Sequence, residues 1–147
     1  MNSGSSRAVD LNNEQEALWN SALDESENYA KDGDMEASYR SALKAWDVLP
    51  EPKLLCSYAY ITAMAVAKAS LASRKFEEGV RFVEWFSANT PREKEVSVFF
   101  VQKGILLFES GDVSGALEAF RAAWKKAKKF PFLGEDKKYL QFLVDKS

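Results

Sequence analysis

Residues 97–130 read SVFFVQKGILLFESGDVSGALEAFRAAWKKAKKF, and no other segment of the chain indicates its architecture as clearly. Apolar and small residues recur there at spacings of three to five, as they do along one face of a helix. The spacing is carried by Phe100, Gly104, Leu107, Gly111, Ala116, Phe120 and Ala123. Ser110-Gly111-Asp112 interrupts the pattern with residues typical of a turn. The segment therefore predicts helices over residues 96–109 and 113–128, joined as a hairpin.

Two similar hairpins precede this one. The turn Asp32-Gly33-Asp34 separates predicted helices over residues 13–31 and 35–48, and Asn13 with Glu16 resembles a capping box at the start of the first. A second hairpin is predicted over residues 54–73 and 76–88. Beyond Pro131 and Gly134, an amphipathic segment over residues 135–144 predicts a short helix that covers the last hairpin. We expect an all-α chain with a flexible N-terminal segment over residues 1–12 and a single domain over residues 13–147.

The composition argues for a binding protein and against an enzyme. The 147 residues are 46% hydrophobic and 13% aromatic, which is enough for a substantial core. There is no histidine and one cysteine, Cys56, so histidine-based catalysis, histidine zinc sites and an internal disulfide are excluded. No glycine loop for phosphate, no run of membrane-spanning length and no secretion signal is present in the sequence. We expect a non-catalytic cytoplasmic protein with no metal, no cofactor and no membrane contact.

The hairpins resemble tetratricopeptide repeats (TPR). The likeness is closest in the third hairpin, at Gly104, Leu107, Gly111, Ala116, Phe120 and Ala123. The others depart from the pattern, with Ala42 where a larger aromatic is usual and Arg74 where the turn glycine is usual. The copies begin near Trp19, Tyr60 and Ser97, at separations of 41 and 37 residues where the standard repeat has about 34. The resemblance implies an α-solenoid of three TPR-like hairpins with a C-terminal capping helix, a fold that binds proteins.

The same resemblance implies which residues face a partner. The first helix of each hairpin would line a concave surface that is mostly apolar and bordered by charges. The expected partner-binding residues are Glu27, Asp34, Ile61, Met64, Lys68, Val98, Val101, Ile105 and Phe108. Such a groove fits a helix or an extended segment of another protein. The capping helix or a second copy of the chain are alternative occupants, so a homodimer stays open.

Charge and one short motif bear on the partner. Residues 1–50 carry ten acidic and four basic side chains, and the net charge of −2 gives no support to direct nucleic-acid binding. The segment FPFLGEDKKY, residues 130–139, is similar to the ending of small bacterial repeat proteins, some of which resemble immunity proteins against toxins. We therefore expect a toxin domain whose basic surface meets the acidic first hairpin. The alternative is a client peptide held by a TPR scaffold or a secretion-type chaperone.

Overall fold

The computed structural model describes residues 9–147, and this part of the chain folds into seven α-helices without a β-strand. The helices are α1 (Asn13–Lys31), α2 (Met35–Val48), α3 (Ala59–Ala72), α4 (Phe76–Asn89), α5 (Glu93–Ser110), α6 (Val113–Ala127) and α7 (Lys137–Asp145). Single 3₁₀ turns lie at Lys53–Leu55 and Phe130–Phe132. The prediction of an all-α chain is confirmed. Among the helices of residues 9–147, none is both long enough and apolar enough to cross a bilayer.

The predicted helix boundaries differ from the observed ones mainly at two starts. The helix predicted from residue 54 begins at Ala59, because residues 53–55 form a separate 3₁₀ turn. The helix predicted from residue 96 begins at Glu93, two residues after Pro91, so the polar residues before the apolar pattern are already helical. The capping box is formed by Asn12 and Gln15, one residue earlier than predicted, with bonds of 2.8 and 2.9 Å between side chains and backbone N–H groups. Asn12 caps because its backbone is extended and not yet helical.

The chain divides into two compact units, of which unit 1 ends at Ser73 and unit 2 begins at Arg74. The division falls inside the predicted second hairpin, so its two helices belong to different units. In unit 1, α2 packs against both α1 and α3; in unit 2, α5 packs against α4, α6 and the 3₁₀ turn at Phe130–Phe132. A single domain over residues 13–147 stays a prediction.

Hydrogen bonds connect α1 of unit 1 to α3 and to the residue that precedes it. The Trp19 indole Nε1 donates to Thr62 Oγ1 at 2.8 Å, and the Tyr58 hydroxyl donates to Glu16 at 2.7 Å. Val9 forms a single parallel bridge with Cys56. Residues 9–12, predicted to be flexible, thus make defined backbone contacts here, whereas residues 1–8 of that segment lie outside the described residues.

The turn between α1 and α2 has a geometry that depends on glycine. Gly33 adopts φ +85°, in the left-handed region that side chains disfavour. The N–H of Asp34 donates to the Tyr29 carbonyl at 2.8 Å, and the Asp34 carboxylate accepts from Ala37 N at 3.1 Å. The turn therefore ends one helix and caps the next within three residues.

The turn between α5 and α6 has the same geometry, with hydrogen bonds at the equivalent positions. Gly111 adopts φ +98°, Asp112 N–H donates to the Leu107 carbonyl at 2.9 Å, and the Asp112 carboxylate accepts from Gly115 N at 2.9 Å. Each of these residues lies 78 positions after its counterpart in the first turn. In unit 1, α2 is followed by a 3₁₀ turn and then by another helix, and in unit 2 the same two elements follow α6. The two units thus share an order of elements as well as a turn.

Arg74 occupies the equivalent place in the turn before α4. Its φ is +60°, so the backbone has the left-handed conformation although the residue is not glycine, a strain of about 1 kcal/mol. Its guanidinium lies 5.0 Å from the centre of the Phe76 ring. The turn therefore has the left-handed backbone conformation at its central residue, although arginine intrinsically disfavours it.

We expect Arg74→Gly to be more stable than Arg74→Ala by about 1 kcal/mol. Both substitutions remove the contact with Phe76, so the comparison isolates the backbone conformation. Urea unfolding of the two variants measures the difference. Equal free energies of unfolding would contradict a strained turn.

Unit 2 is built around a close approach of α5 and α6 at Gly104. A Cβ added there would lie within 2.5 Å of Phe120 Cδ1, so only glycine leaves room for the ring. Phe120 is fully buried and its ring lies 5.7 Å from Phe132, 5.9 Å from Tyr139 and 6.1 Å from Phe142, centre to centre. One aromatic side chain thereby joins α6 to the 3₁₀ turn and to α7.

Gly104→Ala should destabilise the protein by about 1–2 kcal/mol, although alanine is the better helix former, because overpacking outweighs propensity. The cost should shrink in a Phe120→Leu background, where the smaller side chain leaves space. A double-mutant cycle by chemical denaturation measures this coupling. An identical cost in both backgrounds would show that Phe120 is not the source of the effect.

Candidate protein-interaction surfaces

Unit 1 exposes an acidic surface on α1 and its following turn. Residues 9–36 carry nine acidic side chains and one basic one. Glu27 and Asp34, both predicted to bind the partner, are exposed, and Asp34 also caps α2. The negative charge of Glu25 is balanced by Lys44. The Glu25 carboxylate accepts hydrogen bonds at 3.0 Å from Lys44 and Ser41, and these bonds lower the pKa of its carboxyl. Glu16 is half-buried beside Tyr58, and the other seven acidic side chains are exposed.

The three predicted contacts on α3 lie along one side of that helix. Ile61, Met64 and Lys68 are spaced by three and four residues, so they share a face. Ile61 is 55% exposed, Lys68 is exposed and Met64 is half-buried. These residues form an accessible stripe with an apolar end and a basic end.

The four predicted contacts on α5 are largely unavailable. Val101 is 0% exposed and Ile105 1%, while Val98 is half-buried. Phe108 is covered by α7, whose Tyr139 and Phe142 rings lie 5.5 and 5.1 Å from its own. Val101 and Ile105 are buried because α5 is packed by α4, α6 and the Phe130–Phe132 turn on its several sides. Val101 and Ile105 are therefore core residues and do not face solvent.

Unit 2 instead carries a cleft that the sequence did not reveal. Two adjoining cavities of about 420 and 260 Å³ lie on either side of Leu140 and Val144, on the outer face of α7. Trp124 of α6 lines one cavity and Leu133 lines the other. We call this pair of cavities the C-terminal cleft. Its apolar lining includes Val144 at 57% exposed and Trp124 at 37%.

Basic side chains border the C-terminal cleft. Arg121 and Lys125 of α6 line the cavity beside Trp124, and Lys129 and Lys137 line the one beside Leu133. Residues 121–147 together carry eight basic and three acidic side chains. Glu135 and Asp136 also line the cavity beside Leu133, so the cleft combines an apolar floor with a rim of four basic and two acidic side chains.

A buried tyrosine and a carboxylate hold α7 in place. The Tyr139 hydroxyl donates to Glu109 at 2.7 Å, and Lys138 Nζ lies 2.9 Å from the same carboxylate. These two bonds lower the pKa of Glu109, while burial and the bond to Glu109 raise the pKa of Tyr139. Nearby, the buried Gln102 amide donates to Glu135 at 2.9 Å. Each of these bonds ties α5 to α7 or to the loop before it.

Glu109 should make the docking of α7 depend on pH. Its pKa is lowered from 4.5 in the folded state, so the stabilisation is complete above that value and is lost as the pH falls through the lower one. Glu109→Gln should therefore cost about 1 kcal/mol near neutral pH and progressively less below about pH 4.5.

Urea unfolding from pH 3 to 7 measures this difference. The exposed Glu118 of α6 offers a matched control, Glu118→Gln, for the loss of one negative charge. A cost of Glu109→Gln that does not change with pH would contradict the role assigned to the ionised carboxylate.

The segments that line the C-terminal cleft could be identified in the sequence, but their arrangement around a cleft could not be predicted from it. From the sequence, Lys125, Lys126, Lys128 and Lys129 fit either a solvated helix end or a patch that binds phosphate, and residues 130–139 fit a loop followed by a helix start. Val144 lies four residues after Leu140, a spacing that places both on one helical face. That spacing was the available signal, but the side of α7 that meets the last hairpin could not be read from it. The chain matches no family model, no curated protein and no solved structure significantly.

Proposed function

We propose that this chain is a non-catalytic, TPR-like binding module that recognises one folded protein partner through the acidic surface of unit 1. The partner has a basic surface, as a nucleic-acid-cleaving toxin has, and the chain acts as its cytoplasmic immunity protein. The observation that carries this function is the acidic excess of residues 9–36, where seven of the nine acidic side chains are exposed and there is one basic side chain. Such a surface steers a basic partner and favours it over others.

The repeat character of the module is supported by its turns. Gly33, Arg74 and Gly111 all adopt left-handed backbone conformations at corresponding places, and the flanking Asp34 and Asp112 cap helices in the same way. Recurring helical hairpins of this kind present surfaces for protein recognition.

Charge changes that keep the fold test the acidic surface. Asp34→Asn retains a capping side chain, since asparagine caps as well as aspartate, and Glu27→Lys reverses an exposed charge. The double variant Glu27→Lys/Asp34→Asn should capture less of a single stoichiometric partner from a lysate of the native host. Its association rate with that purified partner should fall about tenfold or more at low salt.

Glu78→Gln/Glu118→Lys is the control, because it changes the net charge equally at exposed positions of unit 2. Loss of association by the control to the same degree would indicate a general charge effect. Unchanged association of Glu27→Lys/Asp34→Asn at low and high salt would overturn the acidic surface as the binding site.

A second candidate is a scaffold or secretion-type chaperone that holds a client peptide on α3. The stripe of Ile61, Met64 and Lys68 favours it, since Ile61 is more than half exposed. Partner size separates the two functions, because a client segment binds as a short peptide and a toxin inhibitor requires the folded domain. Ile61→Asp should abolish peptide binding and leave the association with a folded basic domain unchanged.

A further inference from the structure

The outer face of α7 is lined by apolar side chains that no element of unit 2 covers. Leu133, Val144 and Trp124 are exposed around Leu140 and form one apolar patch. Exposed apolar patches with a polar border mark interaction sites.

The border selects for a negatively charged occupant. Lys126 and Lys138 are engaged in ion pairs with Glu93 and Glu109, so they contribute little to the field above the cleft. The rim consists of the basic Arg121, Lys125, Lys129 and Lys137 and of two acidic side chains, Glu135 and Asp136, so its net charge is positive. Glu135 accepts a hydrogen bond from Gln102, and Asp136 caps α7. An occupant with apolar side chains flanked by carboxylates therefore complements this rim.

Helix α1 of this same protein carries that pattern. Glu14, Leu18, Ser21 and Asp24 are all exposed and are spaced by four, three and three residues, which places them along one side of the helix. Leu18 is 55% exposed, and a depression of about 130 Å³ lies beside it. We call these four residues the α1 stripe: an apolar centre with a carboxylate at each end.

We propose that the α1 stripe of one molecule docks into the C-terminal cleft of a second copy of the chain. Leu18 enters the apolar floor, and Glu14 and Asp24 meet the basic rim. This contact joins two different surfaces, so association is head to tail and either closes into a ring or continues as an open chain. It weakens with salt because the charges are at the surface. This contact goes beyond the proposed function, since the partner is the chain itself.

Sedimentation velocity on the full chain tests the contact. At about 20 mM salt the weight-average sedimentation coefficient should rise with concentration over roughly 10–500 µM, and at about 500 mM salt it should stay at the monomer value. Lys125→Glu/Lys129→Glu reverses the rim, and Glu14→Lys/Asp24→Lys reverses the stripe. Each variant alone should be monomeric at low salt.

A mixture of the two variants should associate again. The reversed rim then meets a reversed stripe, and the unchanged stripe meets an unchanged rim, so both contacts are attractive. Arg81→Glu/Lys94→Glu is the matched control for Lys125→Glu/Lys129→Glu, because it reverses two exposed basic residues of unit 2 that do not line the cleft. The control should associate as the unaltered chain does.

Three results would overturn the proposal. The first is an unaltered chain that stays monomeric up to about 500 µM at low salt. The second is association that the rim reversal abolishes and the stripe reversal does not, which would give the cleft a different occupant. The third is a mixture that remains monomeric. The rim reversal leaves the acidic surface of unit 1 intact, whereas the stripe reversal changes Glu14 and Asp24 within it. Glu27→Lys/Asp34→Asn leaves the α1 stripe unchanged, so its effect on the basic partner is independent of self-association.

Discussion

The contact between Gly104 and Phe120 determines how unit 2 is assembled. With no side chain at Gly104, the Phe120 ring reaches the backbone of α5 and is completely buried. The same ring then contacts Phe132, Tyr139 and Phe142, so the 3₁₀ turn and α7 are positioned by one side chain. The C-terminal cleft lies on the outside of this aromatic cluster. Its shape is therefore a consequence of a missing Cβ on α5.

In unit 1, different residues occupy the positions that correspond to the contact between α5 and α6. The positions that correspond to Gly104 and Phe120 are Ser26 and Ala42, each 78 residues earlier. Ser26 is buried and its hydroxyl donates to the Ser38 carbonyl at 2.8 Å, so a hydrogen bond stands where unit 2 has a ring. Two closely similar turns are thus followed by an aromatic contact at these positions in unit 2 and by a small, polar contact in unit 1. This difference accounts for the uneven likeness of the hairpins to a single repeat pattern.

Local features were predictable from the sequence, whereas burial of the α5 face was not. The turns at Gly33 and Gly111 were recognisable because glycine followed by a capping aspartate has a physical reason to be there. Helix α5 has apolar residues on nearly all sides, so periodicity could not separate a groove from a core. Val101 and Ile105 were assigned to a surface by analogy with a repeat, and packing by neighbouring elements buries them. The cleft depends on how α7 is seated, which follows from the aromatic cluster and not from spacing.

The shortness of α7 gives this end of the molecule a particular thermodynamic character. A helix of nine residues is too short to persist alone in water, where about 12–15 residues are needed even for strong helix formers. Its helical state therefore exists only while Tyr139 and Phe142 are seated against Phe108 and Phe120. Winding of α7 and burial of its rings are consequently one cooperative transition. A solvent that loosens this aromatic contact would remove both the secondary structure and the cleft in a single step.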